Sequence, residues 1–173
     1  MQQVILVNEN DVAIGMMDKM EAHQKGLLHR AFSIFIFNKK GQLLLQQRAL
    51  TKYHSGGLWA NACCGHPQTN LNMLDEASQR LQEEMGFTTP LINAFSFTYN
   101  THFSNGLTEH EYDHVLIGKY DGVVMPSEKE VKDYCFMSVN QINAALQLSP
   151  QKYCSWFKIA FPKLLDYLAT SRQ

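Results

Sequence analysis

The sequence lacks any apolar stretch of the roughly 20 residues that a membrane-spanning helix needs. It also lacks a polybasic run, and its formal net charge is only −1. Bulk attraction to nucleic acid or to an anionic membrane is therefore not expected. Four cysteines are too few for a disulfide scaffold, and two of them, Cys63 and Cys64, are neighbours. A reducing cytoplasm is the simplest compartment for such a chain. The start, Met1 to Val7, has no basic segment of the kind that opens a signal peptide, and it reads as a strand. Repeats, low-complexity tracts and linkers are missing as well. The remainder is ordinary: 173 residues, 45% apolar and 18% charged, enough for one domain over 1–173 with a sizeable core.

Hydrophobic patterning predicts many strands and a few helices. Val4–Val7 and Val12–Met16 are short strands around the turn Asn8-Glu9-Asn10-Asp11. Asp18 can cap a short helix that Gly26 breaks. His29 to Phe37 reads as a buried strand, and Asn38-Lys39-Lys40-Gly41 turns it into a return strand, Gln42 to Arg48. Thr51 to Leu58 reads as a polar loop. Leu74, Ala77, Leu81 and Met85 step by three, four and four, which is a helical stripe starting at Asn72 or Asp75 and stopped by Gly86. Further strands are expected through Phe95, Phe97 and Tyr99, over Leu107–Tyr120, and over Val131–Met137. Ser138–Leu148 reads as a helix, and Ser149-Pro150 as the start of a last one that Pro162 threatens to kink or break. The fold class is α+β, an α/β/α sandwich around a mixed sheet.

Several residues can carry chemistry. Glu109 and Glu111 alternate with His110 on a strand, so the two carboxylates share one face. Like charges side by side call for a positive partner, and a divalent cation is one answer. A solvated edge strand explains the segment equally well. Seven histidines are present, and the spacing of His23, His29 and His66 does not by itself define a shared site. Cys64 precedes Gly65-His66, surroundings that favour a reactive thiol, whereas Cys63, Cys135 and Cys154 read as small core residues. Lys19, Arg48, Lys52 and Arg80 are scattered, and they matter only where the fold gathers them around one anion. Trp156 reads as core, with the alternative of presenting its ring to a cation.

Trp59-Ala60-Asn61, Cys64-Gly65-His66-Pro67-Gln68 and Glu109-His110-Glu111 are supported by Arg48-Ala49-Leu50-Thr51-Lys52 and Leu28-His29-Arg30-Ala31-Phe32-Ser33. Together with the helix ending Glu83-Glu84-Met85-Gly86, they make the sequence resemble the type I isopentenyl-diphosphate delta-isomerases, a branch of the Nudix superfamily. The similarity runs from about Val4 to beyond Trp156.

The resemblance implies a Nudix-type α/β/α sandwich and an isomerase that interconverts isopentenyl and dimethylallyl diphosphate, supplying isoprenoid biosynthesis. It implies Cys64 and Glu111 as the acid/base pair, with Tyr99 assisting the glutamate. It implies His23, His29, His66, Glu109 and Glu111 as metal ligands, and Glu84, with the Cys64 carbonyl nearby, at a second ion. Lys19, Arg48, Lys52 and Arg80 would then hold the diphosphate, and Trp156 would face the developing cation. The diphosphate-bridging ion is expected to be Mg²⁺, and the His₃Glu₂ site to take Zn²⁺ or Mn²⁺, or Mg²⁺. The expected partner is a small isoprenoid diphosphate, with no nucleic acid and no membrane, acting on a cytoplasmic monomer.

Two departures stand out. His23 and His29 are six apart, one fewer than in bacterial members. The box reads Gln79-Arg80-Leu81-Gln82-Glu83-Glu84 and lacks the Arg-Glu-x-x-Glu-Glu core, as the isomerase branch does. A Nudix diphosphate hydrolase is the alternative, and it would have no use for Cys64. A binding module without turnover is a third reading, disfavoured because every expected catalytic position is filled.

Overall fold

The computed structural model describes residues 2–68 and 72–171. The readings that run through Met1 and 69–71 lie partly outside the described residues. Strand β1 (Gln3–Val7) pairs antiparallel with β2 (Ala13–Asp18). The Asn8 side chain makes their turn by accepting from the Asn10 and Val12 amides. Helix α1 (Lys19–Lys25) starts where Asp18 Oδ1 accepts from the Met20 and Glu21 amides. It ends at Gly26, left-handed at φ 63°, and that turn sends the chain directly into β3 (His29–Phe37). The Asn38 side chain ties the hairpin to β4 (Leu43–Arg48).

Two three-residue strands follow, β5 (Trp59–Asn61) and β6 (Cys63–Gly65). Helix α2 (Met73–Met85) is capped by Asn72 and stopped by left-handed Gly86. Strands β7 (Leu91–His102), β8 (Thr108–Lys119) and β9 (Val131–Met137) precede α3 (Val139–Leu148), which opens with a Ser138/Gln141 capping box. Ser149-Pro150 opens only a 3₁₀ turn, Pro150–Lys152; the last helix, α4, begins at Ser155 and runs to Thr170 with Pro162 inside it. The expected break at Pro162 does not occur.

Strand β3 organises the mixed sheet. It pairs antiparallel with β1, β4 and β6 and parallel with β8, while β7 flanks β8 and β9 flanks β4. Alternation along β3 separates two cores. Phe32, Ile34 and Ile36 pack with Ala77, Leu81 and Met85 of α2. Phe35 joins Leu43 and Leu45 against Trp156, Phe157, Ala160 and Phe161 of α4. Truncating a fully buried ring such as Phe157 to alanine costs about 3–5 kcal/mol. Helices thus cover both faces, as the α/β/α reading expects. Among the described residues no helix is long and apolar enough to cross a membrane.

Candidate active site

The strand register sets the site. Tyr99 of β7 lies opposite Glu111 of β8, and Glu111 lies opposite His29 of β3. On the other side of β3, Ser33 lies opposite Cys64 of β6. Alternation decides between the two adjacent cysteines. Cys63 is fully buried in the core under α2, whereas Cys64 turns to the α4 face and lines a cavity of about 490 Å³. Gly65 follows because a Cβ there would come within 2.6 Å of the Phe32 ring.

Three of the expected carboxylates, Glu84, Glu109 and Glu111, line this cavity with His66, Tyr99 and Trp156. His23 and His29 are fully buried beside it. Ligand atoms of His23, His29, His66 and Glu111 all lie within 4.8 Å of one another. The shortened spacing is no obstacle, since the Gly26 turn brings the two Nε2 atoms of His23 and His29 to 3.2 Å. Glu111 Oε1 stands 2.9 Å from His66 Nε2 and 3.6 Å from His29 Nε2, so three imidazoles and a carboxylate converge as the ligands of one cation would. The donor set of nitrogens and a carboxylate oxygen fits a divalent transition metal.

Glu109 departs from the expected set. It shares the face of Glu111 but stands outside the four-residue group, with Oε1 3.0 Å from His54 Nε2. Tyr99 joins the two acids, its hydroxyl donating to Glu111 at 2.7 Å and standing 3.3 Å from Glu109. Burial would raise the Glu111 carboxyl, but the His29 imidazole 3.6 Å away and the hydrogen bond with His66 at 2.9 Å hold it well below the usual carboxylate range. Burial and then the Glu111 charge push Glu109 up to about 8. Two acids on one face thus carry little more than one charge near neutrality, a cost that a divalent cation relieves. Burial lowers His23 to about 3 and His66 to about 4, whereas at His29 Glu111 outweighs burial and raises it, a proton that a bound cation would displace.

The Cys64 thiol is pushed up, first by burial and then by the Asp113 charge. Asn61 holds it, with Nδ2 at 3.2 Å and Oδ1 at 3.4 Å from Sγ. The same Oδ1 accepts from the Trp156 indole at 3.2 Å. Ser33 stands 3.5 Å from the sulfur and donates to Asp113 at 2.8 Å.

The fold does collect the four scattered cations. Lys19, Arg48, Lys52 and Arg80 line the same cavity. Burial lowers Lys19 to about 8, and the other three cations push it the same way against Glu111. Arg48 lies 5.1 Å from the Trp156 ring centroid and donates to the His54 carbonyl at 3.3 Å. Lys52 and Arg80 both grip Glu130, and Arg80 also bonds Glu84 at 2.6 Å. Glu84 also accepts from Gln46 at 2.9 Å. The sequence reading missed His54, Asn61 as a hub, and Glu130. Asn61 lies inside a motif it noted, while nothing local marks His54 or Glu130.

The fold and this box-helix cavity define a Nudix-domain protein, and residues 27–157 match the NUDIX domain. The fold also resembles a crystal structure of the MutT protein from Methanosarcina mazei, with a TM-score of 0.66 at 18% identity over 84% of this chain and 96% of that one. It resembles DR0079 from Deinococcus radiodurans with a TM-score of 0.65 at 16% identity, over 88% and 99% of the two chains. The isopentenyl-diphosphate Delta-isomerase of Pectobacterium atrosepticum is 46% identical over 95% of this chain and 92% of its own length. Isopentenyl-diphosphate Delta-isomerase 2 of Photorhabdus laumondii is 48% identical over 90% of this chain and 88% of its own. The chain belongs to the isopentenyl-diphosphate Delta-isomerases of the Nudix superfamily.

Proposed function

We propose that the protein moves the double bond between isopentenyl and dimethylallyl diphosphate, with Cys64 and Glu111 as the two acid/base groups. The observation that carries the assignment is that the Cys64 thiol and the Tyr99-bonded Glu111 line one cavity with Trp156 and four cations. The alkene is unactivated. One group must add a proton at C4 to make a tertiary cation, and another must remove a proton from C2. The donor in one direction is the acceptor in the other, so both groups must hold and release a proton. Tyr99 steadies the Glu111 carboxylate, and Asn61 and Ser33 steady the thiol.

Lys19, Arg48, Lys52 and Arg80 bind the diphosphate. That remote binding orders the reacting end of the substrate. Trp156 turns its ring toward the cation, an interaction worth about 2 kcal/mol or more when desolvated. The walls exclude water that would otherwise trap the cation as an alcohol. His23, His29, His66 and Glu111, with Glu109, would hold a divalent cation such as Zn²⁺ or Mn²⁺, and Glu84 with the Cys64 carbonyl would hold a second, such as Mg²⁺, near the diphosphate. Bound there, such ions would supply positive charge that favours the anionic forms of Glu111 and the diphosphate.

Turnover in D₂O tests this reading against hydrolysis. Deuterium is expected at C4 in the forward direction and at C2 in the reverse, with phosphate and pyrophosphate at background. Glu111→Gln should abolish labelling, because an amide does not cycle a proton. Stoichiometric phosphate release without label would replace the isomerase by a hydrolase.

A further inference from the structure

One buried side chain outside the expected set faces the metal-site residues with a ring nitrogen to spare. His54 lies in the loop between β4 and β5, and its side chain is only 4% exposed. Its ring lines the cavity. Nε2 is 3.0 Å from Glu109 Oε1, yet it has no aligned hydrogen-bond partner. The ring is held on several sides. It stacks on Phe103 at 4.7 Å and 19°, and meets the edges of Tyr53 at 4.3 Å and Trp156 at 6.0 Å. Ser55 Oγ stands 3.2 Å from Nδ1. A hydroxyl donating to Nδ1 leaves the ring proton on Nε2, the atom that faces Glu109.

Phe103, Tyr53 and Trp156 would accept any flat ring at this position. What only histidine adds is the N–H beside a buried carboxylate. The Tyr99 hydroxyl stands 3.3 Å from Glu109 and donates more closely to Glu111, at 2.7 Å, so among the described residues His54 is the nearer donor to Glu109. We propose that His54 is a positioning residue for Glu109: its Nε2–H, 3.0 Å from the carboxylate but not aligned with it here, comes into line as Glu109 turns toward the histidine cluster and so tightens divalent-cation binding. The inference rests on the reading of Glu109 as a metal ligand. Groups that orient a metal-binding side chain from behind typically govern affinity by about 10–100-fold.

The test is equilibrium dialysis of Mn²⁺ against the full chain and three variants, with thermal melts alongside. His54→Phe keeps the stacked ring and removes the donor; its Kd should rise about 10–100-fold. His54→Gln keeps an N–H donor without the ring and should stay within about threefold of the parent. Glu109→Gln reports on the underlying reading and should weaken binding at least as much as His54→Phe. Should His54→Phe melt below the assay temperature, His54→Leu serves as the second variant without a donor. If Glu109→Gln weakens binding while the donor-free variant binds as tightly as the parent, the role of His54 is wrong and the metal reading stands. The role of His54 is equally wrong if His54→Gln falls together with His54→Phe. If Glu109→Gln binds Mn²⁺ as tightly as the parent, Glu109 is not a ligand and both statements fail.

Discussion

Replacing Asn61 with alanine leaves every proposed acid, base and metal ligand in place while removing the group that joins Cys64 to Trp156. Asn61 is fully buried. Its amide nitrogen donates to the Ile34 carbonyl at 3.1 Å and the Cys63 carbonyl at 2.8 Å, and its oxygen accepts from the Trp156 indole. Alanine leaves the indole N–H buried without a partner, at about 1–3 kcal/mol, and deprives two carbonyls of a bond at about 1 kcal/mol each. The sum is about 3–5 kcal/mol, a large share of the roughly 5–15 kcal/mol that holds a domain folded. The catalytic loss has a separate origin. With the amide gone, neither the Cys64 sulfur nor the Trp156 ring is fixed, and a displacement of about 1 Å can cost on the order of 10²-fold in rate. Urea denaturation gives the first quantity, and kcat measured well below the unfolding midpoint gives the second. A loss of less than about 1 kcal/mol with kcat unchanged would show that the hydrogen bonds through Asn61 have no such weight.

Cys64→Ala should abolish turnover with substrate binding retained, whereas Cys63→Ala should keep a substantial part of the activity; equal losses would mean that the wrong thiol was assigned. Chelation should inactivate the protein and a divalent ion restore it, and His66→Ala should lower metal content by elemental analysis. Full activity in the absence of any divalent ion would remove the metal from the reaction. Burial holds His114 below its ordinary value of 6.5, although Asp11 beside it opposes the shift. The folded protein therefore binds fewer protons there than the unfolded chain, and this contribution to stability is complete above pH 6.5 and lost as pH falls through the folded value. His114→Gln should flatten the acid limb of the stability curve below pH 6.5, and a parallel limb in both proteins would contradict the burial argument.

Long periodic segments were legible in the sequence. The apolar run of β3, the three-and-four stripe of α2 and the caps at Asp18 and Asn72 each carry their own signal. Strands β5 and β6 did not, because three residues are too short to express a period. Pro162 misled because helix-breaking is a local tendency, and the burial of Trp156, Phe157, Phe161 and Leu164 along α4 outweighs it. The site shows the same division. Cys64, His66 and the Glu109/Glu111 pair announce themselves by motif and alternation. His54 and Glu130 acquire meaning through partners far away in the chain, and Asn61 becomes a hub because it also binds Trp156, 95 positions on.

The parallel pairing of β3 with β8 also has a consequence for the growing chain. Ser33 meets Asp113 across 80 positions, and His29 faces Glu111 across a similar gap. During synthesis the three imidazoles and the adjacent thiols emerge long before either glutamate. Until β8 arrives, the three histidines lack the carboxylate that completes their cluster. The cluster of His23, His29, His66 and Glu111 is thus completed only when β8 pairs with β3, so the site and the sheet are finished in one step.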